Sequence, residues 1–137
     1  MGFFDSFGIS ASGLTAERLR LDVIANNLAN AETTRTPAGG PYRRRAVVFA
    51  QRLRRAMDGW RGAGVRVAAV VEDAAQPRLV YRPDHPDADA RGYVAYPNVN
   101  VVNEMVDMLG AVRAYEANAT ALQAAKQLAE AALGIGR

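Results

Sequence analysis

From Val101 to Leu133 the chain runs thirty-three residues without a proline, and no other stretch limits the fold as much. Pro97 and Asn98 mark its approach. Asn100 is the N-cap candidate, because a short side-chain oxygen can accept from the free N–H groups of a first turn, and Gly134 is read as the residue that ends the helix. Val101, Met108, Tyr115, Leu122 and Ala129 recur every seven residues, with Met105, Val112 and Ala119 between them and Lys126 breaking that second series. A helix of this length spans about 50 Å at 1.5 Å per residue. Roughly a hundred other residues in a compact ball cannot cover it. Its apolar face needs a partner helix, from this chain or from another.

A second series lies at the opposite end. Residues 9–30 read as an amphipathic helix in which Leu14, Leu21 and Leu28 are seven apart and Ile24 falls on the same side. Ser10 or Ser12 is a cap candidate, and Asn26, Asn27 and Asn30 weaken the end. Gly13 costs ~1 kcal/mol relative to alanine in a helix interior, so the helix is marginal alone.

Between the helices the periodicity changes. Residues 33–41, TTRTPAGGP, are a cluster of turn formers. Ala46–Ala50, Val65–Val71 and Leu79–Tyr81 then read as strands, separated by DGWRGAG and EDAAQP and followed by RPDHPDADARG. Gly59, Gly62 and Gly64 are read as a turn, and QRLRRAM at 51–57 fits either a continuing strand or a helical turn. The fold class is α+β: residues 1–34 and 97–137 supply the helices of a coiled-coil-like domain, and residues 35–96 form a small β-rich insert with loops, as one antiparallel sheet or a pair of hairpins.

Charge is segregated along the chain. Residues 35–71 hold nine arginines against Asp58 alone, whereas residues 72–107 hold three arginines against seven acids. Arg43, Arg44 and Arg45, with the arginines at 52–55, read as a solvated basic face, as contacts to acidic segments of neighbouring subunits, or as a nucleic-acid footprint. Tyr42, Phe49 and Trp60 are not interleaved with them as a stacking platform, which weakens the last reading. Asp84, Asp87 and Asp89 are the acidic candidates for such subunit contacts.

Chemistry is thinly represented. There is no cysteine, hence no disulfide or thiolate site. Asp84, His85, Asp87 and Asp89 lack the order of an EF-hand loop and are stiffened by Pro83 and Pro86, so they read as a turn with solvated carboxylates rather than a metal site. His85, the single histidine, has no catalytic partner in the pattern. The glycines at 59–64 are not followed by the Lys-Ser/Thr of a phosphate loop, and Asn118-Ala-Thr120 is a formal glycosylation triplet inside a helix. No apolar run is long enough to span a bilayer, and the N-terminus lacks the pattern of a cleaved secretory signal. A membrane-surface helix would need a cationic polar face, yet residues 101–133 carry Arg113 and Lys126 against four acids.

Two long segments carry a resemblance. SASGLTAERLRLDVIANNLANAETTRTPAGGPYRR and GYVAYPNVNVVNEMVDMLGAVRAYEANATALQAAKQ resemble the N-terminal and C-terminal segments of the flagellar axial rod and hook proteins, and PDHPDAD is similar to its proximal-rod branch. The matching positions are Asn27, Asn30, Gly40, Tyr42, Pro97, Asn98, Glu104 and Asn118. The Arg-heavy 52–55 and the alanines and glutamines at 121–127 depart from it. The resemblance implies a structural subunit and not an enzyme. It implies export unfolded through the flagellar type III apparatus and polymerisation, with copies of itself and other rod subunits, into a shaft in the periplasmic space of the cell envelope. It implies no cofactor, metal, nucleic acid, small-molecule substrate or membrane insertion. Under it, Leu14, Leu21, Ile24, Leu28, Met105, Met108, Val112, Tyr115 and Leu122 form the assembly faces, and Arg43–Arg45 meet the carboxylates of Asp84, Asp87 and Asp89 on an adjacent subunit.

Overall fold

The computed structural model describes residues 3–136. Its elements are α1 (Phe3–Ala29), β1 (Arg45–Ala56), β2 (Gly59–Glu72), β3 (Arg78–Tyr81), β4 (Tyr93–Tyr96) and α2 (Val101–Ile135). The strands form two antiparallel pairs, β1 with β2 and β3 with β4. Helix α1 is the centre of the molecule, packed against α2 on one side and the β1–β2 hairpin on another. This is the α+β arrangement the sequence predicts, with the terminal helices antiparallel and the β-rich insert between them.

Helix α1 begins six residues earlier than the apolar pattern predicts, so Ser10 and Ser12 lie inside it and cap nothing. Asp5 sits in its first turn, where a carboxylate is favoured by the exposed N–H groups and the helix dipole. The Ser12 hydroxyl donates to the Ile9 carbonyl at 2.7 Å and accepts from the Val65 N–H at 3.0 Å, tying β2 to the helix. Helix α2 starts as predicted: the Asn100 side chain accepts from the Asn103 N–H at 3.1 Å. It ends later, at Gly136 instead of Gly134.

The glycine-rich stretch 59–64 is not a turn as a whole. The reversal is at Met57–Asp58, and Leu53↔Gly62, Arg54↔Arg61 and Arg55↔Trp60 are cross-strand partners, so QRLRRAM continues the strand through Ala56. Gly64 shows why glycine recurs there. It has φ +106°, and a Cβ at this position would stand 2.2 Å from Ser12 Oγ. Gly13 is a second close approach: a Cβ there would meet Asn118 Oδ1 at 2.7 Å, so the residue that weakens an isolated helix lets α1 and α2 touch. Strand β4 is invisible in the charge and turn pattern, yet it supplies the fully buried Val94 and the nearly buried Tyr96.

The core is small: Ala16, Ile24, Val94, Tyr96 and Ala111 are its buried apolar side chains. The chain exposes 9801 Å². A compact monomer of 14.7 kDa would expose roughly 6,900 Å² on the usual size scaling. The excess is larger than the surface a standard protein–protein contact covers, about 1,600 Å² in total.

Candidate assembly interface

The most tightly held part of the molecule is a buried polar knot that joins the ends of the chain. Asn27, completely buried near the end of α1, makes four hydrogen bonds. Its Nδ2 donates to the Arg45 carbonyl at 2.8 Å and to Glu104 Oε2 at 3.0 Å. Its Oδ1 accepts from the Arg45 N–H at 2.9 Å and from the Tyr42 hydroxyl at 2.9 Å. Glu104, 1% exposed in the first turn of α2, takes a charge-assisted bond from Arg44 Nε on its other oxygen. Asp107 and Asp73 stand farther out from the same guanidinium, at 3.7 and 3.9 Å. Burial pushes the Tyr42 phenol above its ordinary value; Arg45 opposes this and Glu104 and Glu72 add to it. Every donor and acceptor of the Asn27 amide is matched, which is what an amide removed from water requires.

Above the knot, where the two helices meet, Met108, Ala111, Asn118, Leu122 and Ala125 form the buried or half-buried side of α2, Ile24 and Ala16 are buried on α1, and Gly13 lies against Asn118. The seven-residue series through Met108 and Leu122 lies in or beside this seam. The intervening series runs through Glu104, Ala111, Asn118 and Ala125, one residue before the Met105, Val112, Ala119 and Lys126 expected from apolarity. The shift has a steric cause, since close approach selects small Ala111 and Ala125 and the Gly13–Asn118 contact over bulky side chains. It also removes the anomaly of Lys126, which is not in the seam.

Displacing that series leaves a second apolar stripe bare. Val102, Met105, Val106, Leu109 and Val112 follow helical spacing on the face of α2 away from α1 and are 36–68% exposed. Tyr115 is similarly open at 38%. Leu14, Leu21 and Leu28 are half-buried, and Ile24 is buried. Val102, Val106 and Leu109 are absent from the faces expected from the heptads, although their three- and four-residue spacing was present to be read.

The charged candidates are partly engaged within the chain. Arg44 belongs to the knot, and Arg45 stands 3.4 Å from Glu72. Asp87 accepts from the Thr34 hydroxyl at 2.7 Å and pairs with Arg35, pinning the 82–92 loop to the segment after α1. Asp89 accepts from the N–H groups of Arg91 and Tyr93 at 2.8 and 2.9 Å. These two are turn-building carboxylates, not merely solvated ones. Arg43, Asp84 and Asp89 of the six stay exposed with no ion pair to another described residue, and Asp89 is held by backbone N–H groups alone. Gly40, at φ +73°, closes its turn by accepting from the Thr36 N–H at 2.9 Å; Pro97 is buried, Asn98 exposed, and Asn30 bonds back to the Asn26 carbonyl. Among the described residues, no cluster of His, Asp and Glu could hold a metal ion, and no helix is long and apolar enough to cross a membrane.

The Thr34 hydrogen bond, assisted by Arg35, holds the Asp87 carboxyl below its ordinary value against the opposing effect of desolvation. Tyr93 and Arg91 N–H groups do the same for Asp89. Groups whose folded value is depressed stabilise the fold above the ordinary carboxylate pKa and lose that contribution as pH falls through the lowered value. Acidification below about pH 4 is therefore expected to loosen the 82–92 loop. Amide chemical shifts of Thr34 and Arg35 should follow the titration, and Asp87→Asn should flatten it.

Terminal helices joined by a polar knot, a small core, and an apolar stripe left open along the longer helix define a subunit completed by its neighbours. Two family models match the chain: Flagella basal body rod protein over residues 7–35, and Flagellar basal body rod FlgEFG protein C-terminal over residues 90–135. The flagellar basal-body rod protein FlgC of Borreliella burgdorferi is 48% identical over 149 residues, covering 98% of both chains. That of Bacillus subtilis is 44% identical over 150 residues and that of Salmonella typhi 44% over 137, each covering 100% of both chains. The chain belongs to the FlgC family of flagellar basal-body rod proteins.

Proposed function

We propose that the chain is a structural subunit of the flagellar basal-body rod, without catalytic activity or a nucleic-acid ligand. It is exported unfolded through the flagellar type III apparatus and packed with copies of itself and other rod subunits into the torque-transmitting shaft. The observation that carries this reading is the bare stripe of Val102, Met105, Val106 and Leu109 on a chain that exposes 9801 Å². The stripe is exposed in the subunit, so charge there leaves the fold intact but puts an unpaired carboxylate into an assembled interface, at a cost of several kcal/mol. Val106→Asp with Leu109→Asp should fold with a wild-type far-UV spectrum and urea midpoint, yet give non-motile cells without complete basal bodies. Normal motility from a chain expressed at normal level would contradict the reading, as would intact rods after deletion of the gene.

A further inference from the structure

Between α1, the β1–β2 hairpin and the edge of α2 lies a cleft of 1060 Å³. Its floor is smooth: Gly8 and Gly13 lie on the helix side and Gly62 and Gly64 on the strand side, with Ile9, Ala16 and Phe49 supplying the apolar surface. At one end stand Arg52, Arg54 and Arg61, with Arg54 paired to Asp5 at 2.9 Å and Arg61 paired to Asp58, which leaves Arg52 as the rim cation with no ion pair to another described residue. At the other lies Glu17, whose side chain is 13% exposed. Among the described residues its buried Oε2 receives no hydrogen bond, and Arg20 Nη1 stands 3.6 Å away.

The chain carries one segment that answers these features. Gly13 opposite Asn118 sets the level of the helix pair, so α2 runs past Phe3 and, among the described residues, its last two turns have no helix beside them. There Leu128, Leu133 and Ile135 are 67, 74 and 88% exposed, with Ala129, Glu130, Ala131, Ala132 and Gly134 between them. A helix about 10 Å across and nine residues long, such as 127–135, has a volume on the order of 1,000 Å³, which matches the cleft. Its C-terminal end carries the negative pole of the helix dipole, suited to Arg52, and Lys126, whose exposed pair with Glu130 is at 3.8 Å, lies nine residues back, at the distance of Glu17.

We infer that the C-terminal end of α2 from one copy of this chain docks in the α1–hairpin cleft of a second copy, with Lys126 of the docked helix meeting Glu17 and Ile135 lying over Gly8. This rests on the rod-subunit reading and adds a specific contact to it. The docked helix has the same polarity as the resident α2, displaced along it by about twelve residues or ~18 Å. Successive copies then point in the same direction along the helix axis. Such a contact joins two different patches and stays open-ended, as a filament requires.

The chain has no cysteine of its own, so a designed pair reports cleanly. Gly8→Cys adds its Cβ to open space, and Ile135→Cys alters an exposed side chain; circular dichroism checks that both variants fold. Differently tagged copies, one with each substitution, are co-produced in cells lacking the wild-type gene, and their basal bodies are mildly oxidised. The expected product is a mixed covalent dimer at least tenfold more abundant than either like-with-like dimer, reduced severalfold by Lys126→Ala. Purified variants mixed at high concentration give a second measurement with the same expected preference. Basal bodies containing both tags without the mixed dimer, Gly8–Gly8 dimers in equal yield, or capture of Gly8→Cys by another protein would overturn the contact while leaving the rod reading intact. Absence of both tags from basal bodies, with the folded proteins present in the cells and no mixed dimer from the purified pair, would overturn both.

Discussion

Arg44→Ala is expected to destabilise the isolated subunit by about 3–5 kcal/mol, because it leaves the Glu104 carboxylate buried with only the Asn27 amide as partner. The reverse truncation, Glu104→Ala, should cost less: Arg44 is 27% exposed and keeps Asp107 and Asp73 within reach, and Asn27 Nδ2 keeps the Arg45 carbonyl. Removing both charges together, as Arg44→Met with Glu104→Leu, should recover most of the loss, since two apolar side chains can replace a buried pair without leaving a charge unsatisfied. Urea unfolding of the four proteins closes the cycle. Additive losses would mean that the two residues do not act as a pair.

Gly64→Val should be comparably severe for a different reason. At φ +106° a β-branched residue is strained by about 1–3 kcal/mol. Its Cβ would also collide with Ser12 Oγ, forcing apart the Val65 N–H and the hydroxyl that accepts from it, which adds about 1–3 kcal/mol for a buried group left unpaired. Gly62→Ala is the control. That glycine lies two residues away in the same strand, but its added Cβ would meet only the Nε2 of Gln51, the movable end of a flexible side chain. If both changes shift the urea midpoint equally, the packing of β2 on α1 is not what Gly64 serves.

The helices were legible because each carries a repeat that no strand or loop would sustain. The start of α2 was legible because Asn100 combines the right side chain with a preceding breaker segment. Other features were hidden for identifiable reasons. Ser12 has the composition of a cap, but tertiary bonding to β2 claims its hydroxyl, and the helix runs on to Phe3. The contact series of α2 sits one residue from its apolar series because the seam selects small side chains, and a search for large apolar residues finds the outer stripe instead. The knot was visible only as family-matching positions. Asn27 and Glu104 are polar residues in helices, and nothing local shows that residues so far apart in sequence share a hydrogen bond. Asp87 and Asp89 looked like available charges because the bonds that engage them come from a distant hydroxyl and from backbone N–H groups.

The Asn27–Glu104 hydrogen bond spans 77 positions, and this separation sets an order of events for a newly formed chain. The β1–β2 hairpin closes through a two-residue reversal and needs no distant partner, so it can form on the microsecond scale. Helix α1 has its carboxylate partner and its long neighbour at the far end of the chain, and closing a loop of that size carries an entropy cost before any contact repays it. Helix α1 can therefore dock on the hairpin first, through Ser12 and the Tyr42 and Arg45 bonds to Asn27, and gain its second partner with α2. Until α2 is present, Asn27 lacks its carboxylate partner and one side of α1 stays uncovered, so completion of the subunit is timed by the arrival of its own C-terminal helix.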